Sequence, residues 1–438
     1  MSDKHPEVFN RYDIRGDYPE EIDEDFSKRL GMAVASYARE KDVEKVVVGR
    51  DTRDNSKEVS DALVEGLREG EVQVIDVGVG TTDRTALASS FYGAIGVMVT
   101  ASHHSWSRTG FKLLYREGYG FSNEDLDRVK ELYMEERPDA GPESRLLRME
   151  AEFDERYIER MLEFTEKSRP GEGKVVLDCC NGGAVRTAPI IFEEAGFEVI
   201  ELNCSTDEGG VDPEPKRSNR DYIVDKVKET GADLGVAFDP DADRAFIYHP
   251  DKGWLDGNHT FYLLANILDA DKIAASIDTA DILESLDADI EYSRVGDVFV
   301  SAKGHSIGAD LLGEPNGHFA ITDFCWYNSG ILASLLLALN YKEIPEMLDN
   351  APQVFTEKTS YSLEEEEYKR KVIAEAIKHA KKNYEVVSTV DGVKFKGEGF
   401  EALVRPSGTS AKIRIVVNSD TEKRASEILE ELGGKLFD

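Results

Sequence analysis

Three aspartates at alternating positions, Asp239, Asp241 and Asp243, carry the sharpest chemical signal in this chain. They lie in Asp239-Pro240-Asp241-Ala242-Asp243-Arg244, directly after an apolar run, Leu234 to Phe238, that reads as a buried strand. Like charges this close require a cation or a proton among them. Hard oxygen donors on a short loop suit Mg2+, which keeps open positions for phosphate oxygens, and Arg244 adds a phosphate partner. The loop is not an EF-hand, because Arg244 stands where glycine is needed and Pro250 where the bidentate glutamate is needed.

Three other strings have compatible chemistry. Thr100-Ala101-Ser102-His103-His104 follows the apolar run Ile95 to Val99. A serine at a strand end sits at the sheet edge, where α/β folds bind ligands. His103 could donate to phosphate or move a proton, and Lys112 adds a positive charge. In Gly313-Glu314-Pro315-Asn316-Gly317-His318, a carboxylate, an amide and an imidazole on one turn can read hydroxyl groups. In Arg405-Pro406-Ser407-Gly408-Thr409-Ser410, a guanidinium fork, hydroxyls and a glycine describe a phosphate cradle. It has no Walker pattern. Each string alone also fits a plain turn. Together they describe one site in a cleft between domains: a serine that carries phosphate, a Mg2+ loop, a sugar reader and a distal phosphate clamp.

The elements that must position these loops follow from length and periodicity. A chain of 438 residues suggests two to four domains. Strand and helix signals alternate: Phe26 to Ala38 helical, Lys45 to Gly49 a strand ending in the polar turn 50–53, Val59 to Leu67 helical, Val72 to Val77 a strand. The pattern restarts after a polar Pro/Gly stretch at 135–145. There Val175 to Asp178 reads as a strand, Val185 to Ala195 as a helix and Phe197 to Leu202 as a strand. A third unit starts near Trp254, with helix His259 to Leu268, strand Ile273 to Ile277 and the apolar helix Gly330 to Leu339. Pro345 and Pro352 bracket a break that could serve as a hinge. A charged helix, Leu363 to Lys382, strands near 385–389, 400–404 and 413–417, and a final helix complete the chain. The reading is α/β: three related α/β domains plus a smaller α+β C-terminal domain around a central cleft.

Composition narrows the partners. Lys and Arg total 53 against 87 Asp and Glu, a formal charge of −34 at pH 7. That field repels nucleic acid and anionic membranes, and fits either high-salt adaptation or an ordinary acidic protein. The longest apolar run is far short of the ~20 residues that span a bilayer. Cys179, Cys180, Cys204 and Cys325 show no metal-ligand spacing and read as reduced, buried thiols, which points to the cytoplasm. The oligomeric state leaves no trace in the sequence.

With these strings in order, the chain resembles the α-D-phosphohexomutase family along essentially its whole length. TASHHS is similar to the phosphoserine loop, DPDADR to the Mg2+ loop, GEPNGH to the sugar loop and RPSGTS to the phosphate loop. Tyr12-Asp13-Ile14-Arg15-Gly16 looks like the YDIRG opening of the phosphomannomutase/phosphoglucomutase branch, whereas the phosphoglucosamine branch more often has GIRG or GVRG. The resemblance implies four domains, 1–140, 146–250, 251–350 and 353–438, bearing these loops in turn. It implies a phosphorylated hexose substrate, Mg2+, and a hexose 1,6-bisphosphate as intermediate and activator. Phosphorylated Ser102 would exchange its phosphoryl group with the sugar, with Arg15, His103, Lys112 and Arg244 around the group in transfer. Ser102, Asp239, Asp241 and Asp243 would hold the metal. Glu314, Asn316 and His318 would read the sugar, and Arg294, Arg405, Ser407, Gly408 and Thr409 would help bind substrate.

His104 and Ser105 stand where the family usually has Asn-Pro, and Arg108-Thr109 replace an aromatic or Asp and Asn. Asn316 replaces a serine, Arg294 a lysine and Ser410 a glutamate. These changes touch substrate choice and rate, not the nucleophile or the metal ligands. Two alternatives stand beside this reading. One is a phosphoglucosamine mutase. The other is a phosphatase with Asp239 as nucleophile and Asp241 as acid/base, which leaves TASHHS and RPSGTS unexplained.

Overall fold

A computed structural model describes residues 5–135, 143–165, 170–206, 210–363, 367–407 and 411–437. Most of the expected linker at 135–145 lies outside them, as do Gly408, Thr409 and Ser410. The chain divides into two compact units: 1–255 with 316–345, and 256–315 with 346–438.

The first unit holds two sheets. One has six strands in the order Ile14–Asp17, Arg108–Leu114, Ile95–Val99, Lys45–Arg50, Gln73–Val79, Leu146–Arg148. Its centre is parallel, as the buried runs require. Arg108–Leu114 is antiparallel to both of its neighbours. That pairing sets Arg15 opposite Gly110 and Met98 opposite Lys112, so the YDIRG segment and Lys112 reach the end of the sheet that bears Ser102. The second sheet runs Gly253–Trp254, Ala245–His249, Leu234–Phe238, Lys174–Asp178, Glu198–Leu202. Here the expected helix 185–195 is split into a 3-10 turn, Gly183–Arg186, and the helix Ala188–Glu194. Pro189 has no amide hydrogen to continue a ladder and so sits in a first turn.

Helices Glu24–Glu40 and Ser56–Glu69 cross where glycines let the backbones touch. A Cβ on Gly66 would lie 1.8 Å from the Lys28 carbonyl oxygen, and one on Gly31 2.3 Å from that of Leu63. Gly66→Ala is therefore expected to cost about 1–3 kcal/mol, the usual price of overpacking, read as a lower midpoint in denaturant unfolding. An unchanged midpoint would mean that the helices slide apart freely.

Cys179 and Cys204 form a disulfide, which corrects the expectation of four reduced thiols. The pair is 25 residues apart in sequence. Strands Lys174–Asp178 and Glu198–Leu202 run parallel with Asp178 beside Leu202, and the cysteines follow just past the two strand ends, with Cα atoms 4.9 Å apart. Only the strand register brings them together. Cys180 and Cys325 stay as buried free thiols, and burial pushes both thiols up from their ordinary range.

In the second unit, Asp289–Ser293, Lys272–Ser276 and Leu311–Glu314 pair in parallel. A five-stranded antiparallel sheet runs Phe355–Ser362, Lys412–Ser419, Phe400–Pro406, Val393–Gly397, Glu385–Ser388. Helices Glu367–Asn383 and Glu422–Phe437 cover it through Val372, Ala376, Ala425, Ile428 and Leu432. The break expected at Pro345 to Pro352 is instead largely a helix, Ile344–Asn350, since proline is tolerated in a first turn. Among the described residues no helix is long and apolar enough to cross a membrane.

Candidate active site

The loop after Ile95–Val99 presents Ser102 with a left-handed backbone, φ 51°, and the loop after Leu234–Phe238 does the same at Ala242, φ 50°. Non-glycine residues hold this conformation at a cost of about 1–3 kcal/mol, met by surrounding bonds. For Ser102 those bonds come from Thr100 and Arg53. The Thr100 Oγ1 accepts the Ser102 amide at 2.8 Å and donates to Asp51 Oδ2 at 2.8 Å. Arg53 is 2% exposed, and its guanidinium donates to the carbonyls of Ser102, His104 (2.9 Å), Ser105 (2.6 Å) and Arg108 (3.3 Å).

The Ser102 side chain faces the aspartates. Its Oγ lies 3.2 Å from Asp239 Oδ2 and 3.2 Å from His103 Nδ1. Asp239, Asp241 and Asp243 are fully buried, with one oxygen from each within 4.8 Å of the others. Lys112 donates to Oδ2 of both Asp241 and Asp243, and Thr82 donates to Asp241 Oδ2 at 2.6 Å. The other oxygen, Asp241 Oδ1, is buried without a hydrogen-bond partner among the described residues. His318 Nε2 accepts from Arg244 Nε at 2.9 Å and lies 3.3 Å from Asp243 Oδ1. Arg15 reaches the Ala101 carbonyl at 3.4 Å.

The electrostatics follow from this crowding. Burial, then the charges of Asp243 and Asp241, pushes the Asp239 carboxyl well above its usual range. Burial would also raise Asp243, but Lys112, His318 and Arg244 hold it well below. Burial, with Arg244 and Arg15, lowers His103 far below its ordinary value, so its ring is neutral at pH 7. Burial with Arg15 and Arg108 brings His104 down to about 4. Three buried carboxylates, one with an unpartnered oxygen, form the all-oxygen donor set that Mg2+ takes.

The structure thus brings Ser102, His103, Lys112, Arg15, Arg244, the three aspartates and His318 together in the first unit. Asn316, exposed in the same unit, accepts the His318 amide at 3.2 Å. Glu314, Arg294, Arg405 and Ser407 belong to the second unit. There Glu314 is 2% exposed and accepts the Gly296 amide at 2.8 Å. Arg405 is buried with its Nε 2.9 Å from Asp391 Oδ2, and exposed Arg294 reaches the Val390 carbonyl at 3.2 Å. The Ser407 amide donates to Lys412 at 2.8 Å.

Sequence reasoning gave no role to Asp51, Arg53, Thr82 or Thr100. The string Arg50-Asp51-Thr52-Arg53 reads only as a polar turn after a strand. Its one signal is that such turns lie at the same sheet edge as the Ser102 loop.

Models of the four phosphoglucomutase/phosphomannomutase domains match the chain in order. Alpha/beta/alpha domain I covers 6–139, domain II 155–253, domain III 256–353 and the C-terminal domain 361–434. A phosphoglucomutase/phosphomannomutase of Thermococcus kodakarensis is 31% identical over 454 residues, 98% of each chain. A probable phosphoglucosamine mutase of Methanothermobacter thermautotrophicus is 31% identical over 450 residues, 100% of this chain and 99% of its own. Other relatives of similar identity also bear the phosphoglucosamine mutase name. The crystal structure of a phosphoglucomutase/phosphomannomutase family protein from Burkholderia thailandensis has a TM-score of 0.85 at 24% identity, over 97% of this chain and 96% of that one.

Proposed function

Because this chain belongs to the phosphoglucomutase/phosphomannomutase family, we propose that it moves a phosphoryl group between C1 and C6 of a hexose phosphate, with Ser102 as the carrier. The observation that carries this reading is the Ser102 Oγ, 3.2 Å from Asp239 in a buried cluster of three carboxylates.

Phosphorylated Ser102 gives its phosphoryl group to the C6 hydroxyl of a hexose 1-phosphate. The P–Oγ bond breaks as the P–O6 bond forms, the C6 hydroxyl proton ends on the freed Oγ, and a 1,6-bisphosphate results. The bisphosphate turns over, the Ser102 Oγ attacks the phosphorus carried on C1, the P–O1 bond breaks, the Oγ proton ends on O1, and hexose 6-phosphate leaves. In that second attack neutral His103, 3.2 Å from Oγ, is placed to take the hydroxyl proton. Asp239, Asp241 and Asp243, with a Ser102 phosphate oxygen, would hold Mg2+, which when bound neutralises charge on the phosphoryl oxygens. Lys112 holds two of the carboxylates in place, and Arg15 and Arg244 carry positive charge to the group in transfer. Glu314, Asn316 and His318 would read the hydroxyls. Arg405, Ser407, Gly408 and Thr409 would hold the phosphate not being transferred, Arg294 would help bind substrate, and free hexose 1,6-bisphosphate would recharge Ser102 and act as activator.

For the hexose, glucose and mannose are our first reading, from the Tyr12-Asp13-Ile14-Arg15-Gly16 opening. Glucosamine is the second, favoured by the names of the relatives above. A coupled assay of the three 1-phosphates, with catalytic hexose 1,6-bisphosphate and Mg2+, decides between them. The first reading expects kcat/KM for glucose or mannose 1-phosphate to exceed that for glucosamine 1-phosphate at least tenfold. The reverse order would overturn it.

A further inference from the structure

The Ser102 loop carries a tryptophan that none of the chemistry above uses. Trp106 lies four residues past Ser102, and its ring covers the Arg53 guanidinium at 5.1 Å. That guanidinium is the one that gathers the carbonyls of Ser102, His104, Ser105 and Arg108. The indole also meets a separate segment of the chain. Its Nε1 donates to the Val211 carbonyl. Gly210 is so close that a Cβ there would lie 2.0 Å from the indole Cε2. Around this contact, His103, His104 and Trp106 face Asp212, Pro213 and Glu214 across an open cavity of about 480 Å3.

We propose that Trp106 is a positioning residue for the nucleophile: a strut seated on residues 210–211 that keeps Arg53 under the Ser102 loop and so fixes the Ser102 Oγ for phosphoryl transfer. The inference rests on the reading of Ser102 as the phosphate carrier. A buried guanidinium bonded to several carbonyls is held by geometry, and an aromatic face over it adds cation–π attraction while excluding water. The left-handed backbone at Ser102, φ 51°, persists only while those bonds persist. In-line transfer tolerates little displacement, since an error of about 1 Å can cost on the order of 10²-fold. Gly210 enters because only hydrogen fits against the indole. Its φ does not lie in the left-handed region, so an alanine there strains the indole seat and not the 210 backbone.

Gly210→Ala therefore perturbs the strut from residues 210–211, without changing any residue of the Ser102 loop. The experiment compares wild type, Trp106→Ala, Gly210→Ala and the double variant, each checked for folding by thermal unfolding. The readouts are kcat and KM for glucose 1-phosphate, the rate of Ser102 phosphorylation by glucose 1,6-bisphosphate, and amide hydrogen exchange across residues 100–109. We expect kcat and the phosphorylation rate to fall about tenfold or more in each single variant. KM should stay within about threefold, and exchange across 100–109 should quicken. In the Trp106→Ala background, Gly210→Ala should cost less than twofold further, because the side chain through which it acts is already gone. Folded single variants with kcat within twofold of wild type would overturn the inference, and so would fully additive losses. If wild type takes up no phosphate at Ser102, the functional reading falls and the inference with it. If wild type takes up phosphate and both single variants do so at the same rate, only the inference falls.

Discussion

Ser102→Ala is expected to lower mutase turnover by at least ~10³-fold, about 4 kcal/mol of transition-state stabilisation at ~1.4 kcal/mol per decade. The hydroxyl is the only group lost. Asp239, Asp241, Asp243 and Lys112 keep their contacts, because the Ser102 Oγ touches the cluster at Asp239 alone and at 3.2 Å. Substrate affinity should change little, since the hydroxyl acts in the chemical step and not in ground-state binding. A phosphatase using Asp239 as nucleophile would predict the opposite. There Ser102 is a neighbour, and its loss should cost little. Turnover of glucose 1-phosphate, followed both as glucose 6-phosphate and as inorganic phosphate, separates the two by orders of magnitude. Near wild-type conversion by the alanine variant would refute the phosphoserine route.

Asp241→Asn is the second large effect. Asp241 Oδ2 is occupied by Lys112 and Thr82, while Oδ1 is buried without a hydrogen-bond partner among the described residues. The amide keeps the shape but removes one of three anionic donors and leaves Lys112 with a weaker counter-charge. Mg2+ affinity, measured by calorimetric titration, should weaken at least about tenfold. Turnover should fall about 10²-fold or more, because charge on the phosphoryl group in flight is then poorly neutralised. Unchanged Mg2+ affinity together with unchanged activity at limiting Mg2+ would remove the metal from this loop.

Much of the frame that carries these residues was legible in advance, for identifiable reasons. Ile95–Val99, Leu234–Phe238 and Gly330–Leu339 emerge at their expected bounds. All three are continuous apolar runs, almost wholly buried and closed by polar turns, the least ambiguous pattern a sequence offers. Arg108–Leu114 and Ala245–His249 were invisible. Each is an antiparallel neighbour of a buried strand and mixes charged or polar residues with apolar ones, so its assignment depends on the pairing partner. The same limit applies to the site. The aspartates, Ser102, His103 and Lys112 stand out because their types and spacing are chemical in themselves. Arg53 does not, because its work is done on carbonyls about fifty residues away. Thr82 is similar: a helix-start threonine acquires meaning only where Asp241 meets it, 159 residues on. The Cys179–Cys204 pair shows the same dependence on strand register.

The central claim is that phosphate rides on Ser102. The direct measurement is intact mass and peptide mapping of the protein after incubation with glucose 1,6-bisphosphate and Mg2+, before and after a chase with excess hexose 1-phosphate. The account predicts one phosphate per chain, mapped to Ser102 and stable to acid as a phosphate ester, that passes to the sugar on the chase. An enzyme active in the mutase assay whose Ser102 never carries phosphate, or whose phosphate maps to Asp239 as an acid anhydride, would contradict it.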